Sequence, residues 1–321
     1  DVAITQLLSP TLSCVAEQTI EVVLANVGAD TVESVQVHWS LNGLPQDDQL
    51  FTLNLLPEGD TAHLVIGLNN FSSFQTDTLR IWTSMPNEVA DLQPENDTLE
   101  AIFCLSLSGP YTIGGSSPDF ATIGEAVTTL NTYHTCGPVT FRIRDGVYTE
   151  QISIDSIPTT SSTNTITFES ESLDSSAVTI QYTPFNSTNP AVFLLKGTDH
   201  VTFRHLGFKA LPSGYSDVLE LRYSADHLTV SNCYFEGYHF GSSSVLIKCL
   251  NYGGFSDTMT IENSYFLNGQ QAIYLYNGGF SQHEINIHQN TFVNQRFGGL
   301  DVSFIRGLYI LNNKFTSNTT S

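Results

Sequence analysis

Aromatic and basic side chains recur at matching positions of a repeated strand in the second half of the chain. Strand alternation predicts two outward columns on these strands. One column contains Phe193, Glu220, Leu246, Tyr274 and Asp301, and its neighbour contains Leu195, Arg222, Lys248, Tyr276 and Ser303. Aromatic rings beside cationic groups suit a sugar polymer, which presents apolar faces and hydroxyls. Arg222, Lys248, Tyr274 and Tyr276 are therefore candidate ligand-binding residues.

A short Gly-Gly-Phe-Ser sequence lies beside these strands and occurs twice, starting at Gly253 and at Gly278. The two copies start one repeat apart, which predicts two protruding, stacked loops with Phe255 above Phe280. Tyr252 precedes the first copy, so all three aromatic residues are added to the candidate ligand-binding set. The alternative is that both phenylalanines fold back and cover the edge of the sheet.

The acidic and histidine side chains of this region give weak support for catalysis. Glu220 and Asp301 are expected three strands apart, roughly 14 Å at the usual spacing of strands. The two carboxyl groups of a glycosidase lie about 5 to 9.5 Å apart. His200 and His227 each follow an aspartate, which predicts a hydrogen bond at a corner. The alternative, a Ser-His-Asp triad, lacks a G-x-S-x-G sequence.

The five cysteines are Cys14, Cys104, Cys136, Cys233 and Cys249. A disulfide between Cys14 and Cys104 would close a loop of about 90 residues and stabilise the fold by roughly 4 kcal/mol. The alternative is two buried thiols. Cys233 and Cys249 are predicted to be inert core thiols. Zinc is not expected, because no CxxC or HxxxH spacing is present.

An internal repeat is the element that must position the candidate residues. The segment Val201–Phe208 recurs at 228–235, 259–266, 285–292 and 308–315, and each copy follows a second apolar strand. A single unit cannot bury its own apolar face, whereas stacked units can, which predicts a parallel β-solenoid. The last phenylalanine of each copy is expected to form an inward column. The residues His205, Asn232, Asn263, Gln289 and Asn312 are expected at a left-handed corner.

Composition and charge divide the chain and exclude some partners. The 321 residues have a net charge of −21, which argues against nucleic acid and anionic lipid as partners. The sequence contains no run of 18 apolar residues, so it does not predict a segment that spans a membrane. Residues 1–106 contain 15 acidic residues and one basic residue, whereas residues 107–321 contain 17 and 10. We therefore predict two domains, 1–106 and 107–321, joined tightly at 106–110.

Residues 1–106 show short alternating strands separated by turn residues such as Asn42-Gly43. This pattern predicts an immunoglobulin-like β-sandwich with Trp39 and Trp82 in its core. The segments Asp1–Ile4, Leu24–Gly28, Leu41–Gly43 and 87–97 resemble the CARDB domain, an adhesion-related module of bacterial surface proteins. That resemblance implies a spacer or adhesion role without catalysis. The acidic stretch 88–100 is either a solvated loop or a calcium site, and no other cofactor is expected.

Residues 119–131 show helical spacing of apolar residues, with a start signal at Pro118-Asp119. This segment and Val139–Glu150 resemble the cap and first turn of pectin-lyase-like right-handed β-helices, as in pectin methylesterases and Bacteroidota secreted proteins. The expected fold class is therefore all-β, with a β-sandwich followed by a right-handed parallel β-helix and a short capping helix. The methylesterase Gln-Asp-Thr and Asp-Phe-Ile-Phe-Gly sequences are absent, as is a lyase-type arginine base with an aspartate cluster.

Several features predict a secreted or cell-surface protein. Asp-Ser/Thr triplets followed by a small or aliphatic residue resemble the O-glycosylation signal of Bacteroidota secreted proteins. Their acceptor residues are Thr31, Thr61, Thr78, Thr98, Ser156 and Thr258. A chain that starts at Asp1 is expected to be a mature or excised form, and a type IX sorting domain would lie outside it. The solenoid end near Ser321 is expected to be open, covered by further turns or by a partner.

Three functions follow from these observations. The first is a non-catalytic surface protein in which the β-helix is a stalk or a glycan-binding surface. Its partner would be an extracellular polysaccharide or another surface protein. The second is a polysaccharide lyase that uses a tyrosine or lysine base near Arg222. The third is a subunit of a surface assembly that docks through the open C-terminal end of the solenoid.

Overall fold

A computed structural model describes residues 1–11, 14–71, 76–91, 93, 96–238, 244–250, 258–276, 282–303 and 305–317. For residues 54, 55, 104, 282 and 283 only the backbone is described. The chain forms two compact units, Asp1–Ser106 and Leu107–Ser321.

The first unit is a β-sandwich of two antiparallel sheets. A three-stranded sheet has the order β1-β2-β6, and a five-stranded sheet has the order β4-β3-β7-β8, with β5 also paired to β3. A short 3-10 helix spans Pro86–Glu88. The strands are β1 (Val2–Ser9), β2 (Glu17–Asn26), β3 (Val32–Leu41), β4 (Leu44–Pro45), β5 (Gln49–Leu56), β6 (Thr61–Asn70), β7 (Thr76–Ser84) and β8 (Thr98–Cys104).

The core of the sandwich contains Trp39 but not Trp82. Trp39 is 5% exposed and lies among buried aliphatic residues of both sheets. Trp82 is half-buried and stacks on His38 outside that core, with ring centroids 5.4 Å apart. The prediction for Trp82 was wrong because strand alternation places it on the opposite face from Leu79 and Ile81. Asn42 and Gly43 form the expected turn, and both have positive φ.

The second unit begins with β9 (Leu107–Ile113), so the segment expected to be a joint is largely a strand. The helix α1 (Ile123–Tyr133) starts four residues later than predicted. Thr122 is its N-cap and accepts a hydrogen bond from the Glu125 amide, while Glu125 accepts one from the Ala121 amide. Asp119, the predicted start, instead accepts two hydrogen bonds from Thr112.

Three parallel sheets form a solenoid, and each complete turn contributes one strand to each sheet, while β9, before α1, extends the eight-stranded sheet. The eight-stranded sheet contains β9, β10 (Thr135–Ile143), β13 (Ile166–Ser170), β16 (Val201–Arg204), β19 (Leu228–Ser231), β22 (Thr258–Glu262), β25 (Gln282–His288) and β28 (Arg306–Leu311). The seven-stranded sheet contains β11 (Gly146–Thr149), β14 (Val178–Tyr182), β17 (Gly207–Ala210), β20 (Tyr234–Glu236), β23 (Tyr265–Leu267), β26 (Thr291–Val293) and β29 (Lys314–Thr316). The six-stranded sheet contains β12 (Ile152–Ile154), β15 (Ala191–Lys196), β18 (Asp217–Arg222), β21 (Val245–Leu250), β24 (Gln271–Tyr276) and β27 (Gly298–Ser303).

A column of stacked phenylalanines runs through the interior of the solenoid, as the repeat predicted. Successive ring centroids from Phe208 to Phe315 lie 4.8 to 5.0 Å apart. The predicted corner residues all have positive φ, between 48° and 58°. At the last turn the columns reach the surface, where Ile310 is 44% exposed and Phe315 is 54% exposed. The predicted fold class is therefore confirmed.

Candidate functional site

The six-stranded sheet brings four of the predicted ligand-binding residues onto one face. Its register aligns one outward column across five strands, which contains Leu194, Glu220, Lys248, Tyr274 and Asp301. Arg222 and Tyr276 lie in the neighbouring column, beside Lys196 and Ser303 respectively. Arg222, Lys248, Tyr274 and Tyr276 therefore share one surface of three adjacent strands.

The predicted register was wrong by one residue on β15 and by two residues on β21. Phe193, Leu195 and Ile247 face inward, and Phe193 packs against the core rings of Phe203 and Phe208. Lys248 is in the same column as Glu220, not in the neighbouring one, and Leu246 is not in the column of Tyr274. The slip of one residue on β15 exchanges the two faces of that strand, whereas the slip of two residues on β21 keeps each side chain on its face and changes only its column.

Both cationic side chains of this surface are neutralised by buried carboxylates. The Lys248 ammonium lies 2.6 Å from a carboxylate oxygen of Asp217, which is fully buried. Arg222 donates from Nε and Nη2 to the two oxygens of the fully buried Glu220, at 3.0 and 2.9 Å. The surface therefore carries no net charge from these two pairs, and its accessible chemistry is that of the tyrosines.

The accessible part of this surface is concentrated on β24 and β27. Val218 and Leu246 project away from the phenylalanine column but are fully buried. Tyr274 is half-buried, and Tyr276 is 41% exposed. Tyr252, Phe255 and Phe280 lie outside the described residues, so the predicted stacked loops stay a prediction.

The carboxylates and histidines singled out in the sequence do not form a catalytic pair or triad in the described part of the chain. Glu220 and Asp301 lie three strands apart, as expected, and Asp301 accepts a hydrogen bond from Gln271. His200 and His227 stack with ring centroids 4.1 Å apart. Burial, and then the neighbouring His227, lower the pKa of His200, while Asp199 opposes this shift.

The cysteines divide into disulfide-bonded and thiol forms. Cys14 is disulfide-bonded, and the side chain of Cys104, its predicted partner, lies outside the described residues. Cys136 is disulfide-bonded as well, which the sequence reading did not anticipate. Cys233 is a free thiol in the core, and burial raises its pKa to about 12, as expected for an inert thiol. Cys249 also keeps its thiol and is half-buried.

The outer face of the eight-stranded sheet contains a second group of polar residues that sequence reasoning missed. One outward column holds five threonines in register: Thr140, Thr167, Thr202, Thr229 and Thr260. The next column contains Thr112, Arg142, Glu169 and Arg204. Glu169 is 4% exposed and accepts hydrogen bonds from the Nε of both arginines. The signal for the threonine column was visible as a threonine at the second position of the first three repeat copies.

Three carboxylates of the first unit converge around the acidic stretch that was a calcium candidate. Oxygen atoms of Asp1, Asp91 and Asp97 all lie within 4.8 Å of one another. Asp97 is buried, and Asn96 donates a hydrogen bond to Asp1. Carboxylate oxygens are the ligands that calcium prefers, so these three residues are the ones that could hold a cation.

The predicted glycosylation acceptors lie at or near the surface. Thr31, Thr61, Thr78 and Ser156 are exposed, whereas Thr98 and Thr258 are half-buried. No α-helix within the described ranges has the length and apolar character needed to cross a membrane.

Residues 171–318 match the family model described as "Right handed beta helix region". Solved structures give distant similarities. The CARDB domain of a Pyrococcus furiosus protein, in complex with di-metal ions, is 17% identical, covers 33% of this chain and 87% of its own, and has a TM-score of 0.28. Pectin methylesterase PemA from Erwinia chrysanthemi is 12% identical, covers 59% of this chain and 56% of its own, and has a TM-score of 0.41.

The pectin methylesterase from Aspergillus niger is 14% identical, covers 67% of this chain and 88% of its own, and has a TM-score of 0.39. A search of curated proteins gives no match. The expected resemblance to a CARDB domain followed by a right-handed β-helix is thus confirmed as a likeness of fold.

Proposed function

We propose that this protein is an extracellular or cell-surface binding protein without catalysis, and that the six-stranded sheet carries its carbohydrate-binding surface. The β-sandwich acts as a spacer or adhesion module. The observation that carries the proposal is the alignment of Lys248, Tyr274 and Tyr276 on adjacent strands beside Arg222. Tyrosine rings offer apolar faces and hydroxyl groups to a sugar, at little cost in side-chain entropy.

The ion pairs of this surface favour binding over lyase chemistry. A lyase base must accept a proton from the sugar, and a cation must stabilise the intermediate. Lys248 forms an ion pair with Asp217, and Arg222 donates hydrogen bonds to both oxygens of the Glu220 carboxylate. Both cations already have an anionic partner, which lowers their capacity to stabilise a developing negative charge on a substrate.

The test is to incubate the protein with a panel of polysaccharides, with and without calcium. Binding is measured, and turnover is detected as new reducing ends or unsaturated products. We expect binding of a neutral polysaccharide without turnover, and about a tenfold loss of affinity in Tyr276→Ala. Tyr309→Ala is the matched control, since Tyr309 is an exposed tyrosine of the eight-stranded sheet. Turnover of any polymer, or equal affinities of both variants, would contradict the proposal.

The acidic cluster of the first unit is proposed to bind calcium through Asp1, Asp91 and Asp97. Calcium should raise the melting temperature of the full chain, and Asp91→Asn should remove that increase. Asp47→Asn, at an exposed aspartate of the same unit, should keep it. An identical change of melting temperature with calcium in the two variants would contradict the calcium assignment.

A second candidate function is assembly with a partner or another copy through the last described turn of the solenoid. Ile310 and Phe315 continue inward columns of the solenoid but are 44% and 54% exposed. Assembly would bury them, and Ile310→Asp should then lower the average mass measured by light scattering. A concentration-independent monomer would contradict this role.

Surface location, type IX secretion and O-glycosylation are part of the proposed extracellular function. Intact-mass measurement of the secreted protein would check them.

A further inference from the structure

The outer face of the eight-stranded sheet carries an arginine pair that the carbohydrate-binding surface does not use. Arg142, Glu169 and Arg204 lie in register on β10, β13 and β16. The two arginines are therefore two strands apart, roughly 9.5 Å. Their side chains are 50% and 46% exposed, whereas that of Glu169 is 5% exposed.

Glu169 orients both guanidinium groups. One of its oxygens accepts from the Nε of Arg142 at 3.3 Å, and the other accepts from the Nε of Arg204. Within the described ranges, neither arginine donates a further hydrogen bond from its terminal nitrogens. Because each guanidinium is held at its Nε, its terminal amino groups stay available to a ligand.

Threonine hydroxyls lie next to these guanidinium groups. Thr140 and Thr202 precede the two arginines by two residues, and Thr167 precedes Glu169 likewise, so all three share the outer face. In the part of the chain that the structure describes, the hydroxyls of Thr140, Thr167 and Thr202 have no hydrogen-bond partner in the protein. Each arginine is thus accompanied by a hydroxyl donor about 7 Å along its strand, within reach of one ligand group.

The local charge is positive although the chain is acidic. Two arginines against one glutamate leave a net charge of +1 in this group. Of the nearby acidic residues, Glu171 lies 3.3 Å from Arg144, and Asp119 accepts hydrogen bonds from Thr112, the residue beside Arg142 on β9. Charges more distant than about 8 Å are screened at physiological salt, so the net charge of the whole chain does not by itself keep an anion from this face.

We propose that Arg142, Arg204 and the adjacent threonines bind the sulfate esters of a sulfated polysaccharide that lies along the solenoid. A carboxylate presents two oxygens to a guanidinium fork in one plane. A sulfate ester has three terminal oxygens in a tetrahedral arrangement, so two of them can face the fork while the third is directed to a threonine hydroxyl. The two guanidiniums, held two strands apart, would contact successive sulfate groups of one polymer.

The test compares three polymers with the same backbone, namely dextran sulfate, carboxymethyl dextran and dextran, by calorimetry with the full chain at about 0.15 M salt. We expect dextran sulfate to bind about tenfold or more tightly than carboxymethyl dextran of equal charge density. Equal affinity for these two polymers would overturn the sulfate assignment, and no binding of dextran sulfate would overturn the site. Any binding of neutral dextran is assigned to the six-stranded sheet and should not change in the variants below.

The first variant, R142Q/E169Q/R204Q, removes the charges without leaving a buried carboxylate alone. Its net charge falls by one, as it does in the matched control Arg296→Gln, at an exposed arginine of the same unit. We expect a loss of about tenfold or more in affinity for dextran sulfate in the triple variant and less than about threefold in the control. Equal losses would show that only the total charge matters and would overturn the proposal.

The second variant, R142K/R204K, keeps both charges and the pairing with Glu169 but removes the planar fork. It remains informative if the triple variant fails to fold. A loss of several-fold in affinity for dextran sulfate is expected. Unchanged affinity would contradict recognition by the guanidinium groups.

Discussion

The outer faces of the six-stranded and eight-stranded sheets both pair carboxylates with cations, but they do so at different depths. On the six-stranded sheet, Arg222 and Lys248 are only 13% and 16% exposed, and their carboxylate partners are fully buried. On the eight-stranded sheet, Arg142 and Arg204 are about half exposed around one buried Glu169. The first arrangement is a closed ion pair that supports tyrosines, and the second leaves cationic donors directed to solvent.

The depth of burial determines what each face can recognise. A buried pair that is broken leaves an uncompensated charge in a poorly solvated place, so these residues act on stability. Exposed guanidiniums contribute little to stability because water and salt screen them. The comparison therefore predicts that loss of a cation on the six-stranded sheet lowers the free energy of unfolding. Loss of an arginine on the eight-stranded sheet is expected mainly to lower the affinity for a ligand.

The largest expected effect is on the stability of the six-stranded sheet. Lys248→Ala should lower the free energy of unfolding by about 3–5 kcal/mol, because Asp217 then keeps a buried charge. Lys209→Ala is the matched change in an exposed pair, since Lys209 lies 2.8 Å from Glu236 and is 37% exposed. It should cost at most about 1 kcal/mol. Urea unfolding of both variants measures this, and similar losses would refute the difference between the two kinds of pair.

The second effect is the strength of each ion pair, measured by double-mutant cycles. The coupling between Arg222 and Glu220 should be roughly 1.5–3 kcal/mol and should change little in 1 M salt. The coupling between Arg142 and Glu169 should be about 1 kcal/mol at low salt and should fall in 1 M salt. A cycle in which salt weakens both couplings equally would remove the distinction between the faces.

The third effect separates stability from recognition on the eight-stranded sheet. Thr202→Val should change the free energy of unfolding by no more than about 0.5 kcal/mol, because the shape of the side chain is kept. Its affinity for dextran sulfate should fall several-fold. Thr229→Val is the control, since Ser231 takes the place of Arg204 on the next strand. Equal binding by both variants would argue against a role for the hydroxyl.

The smallest effect is a pH dependence at the corner before β16 and β19. The pKa of His200 is lowered in the folded state by burial and by His227. The unfolded chain therefore binds more protons as pH falls through about 6.5, so the stability contributed by neutral His200 is present above that pH and lost below it. NMR titration should find the pKa of His200 below 6.5. His227→Asn should raise it, and Asp199→Asn should lower it further.

The sequence predicted the solenoid well because its repeat carries the same information many times. Each copy places a phenylalanine inward and a polar residue at the left-handed corner. An ambiguous strand or corner assignment in one copy can therefore be decided from the other copies. The start of α1 was misplaced because Asp119 resembles an N-cap, whereas Thr122 is the residue whose side chain accepts from the Glu125 amide and caps the helix.

The register of the six-stranded sheet was harder to predict, and so was the second site. Outward residues such as Val218 and Leu246 are apolar and buried, so alternation does not reveal which face is inward. The residues around Glu169 were missed for a different reason. Arg142 and Glu169 are 27 residues apart in the chain, whereas Glu169 and Arg204 are 35 apart, so no local motif joins them.

The stacked phenylalanines have a consequence for how such a molecule can change its length. Each turn from Phe208 to Phe292 presents nearly the same ring surface to the turns on either side. A whole turn can therefore be gained or lost without a new kind of interface, and the molecule lengthens or shortens by one strand spacing, about 4.8 Å. Duplication of a turn would also duplicate its outward residues, so the distance between ligand-binding groups can evolve in steps of that size.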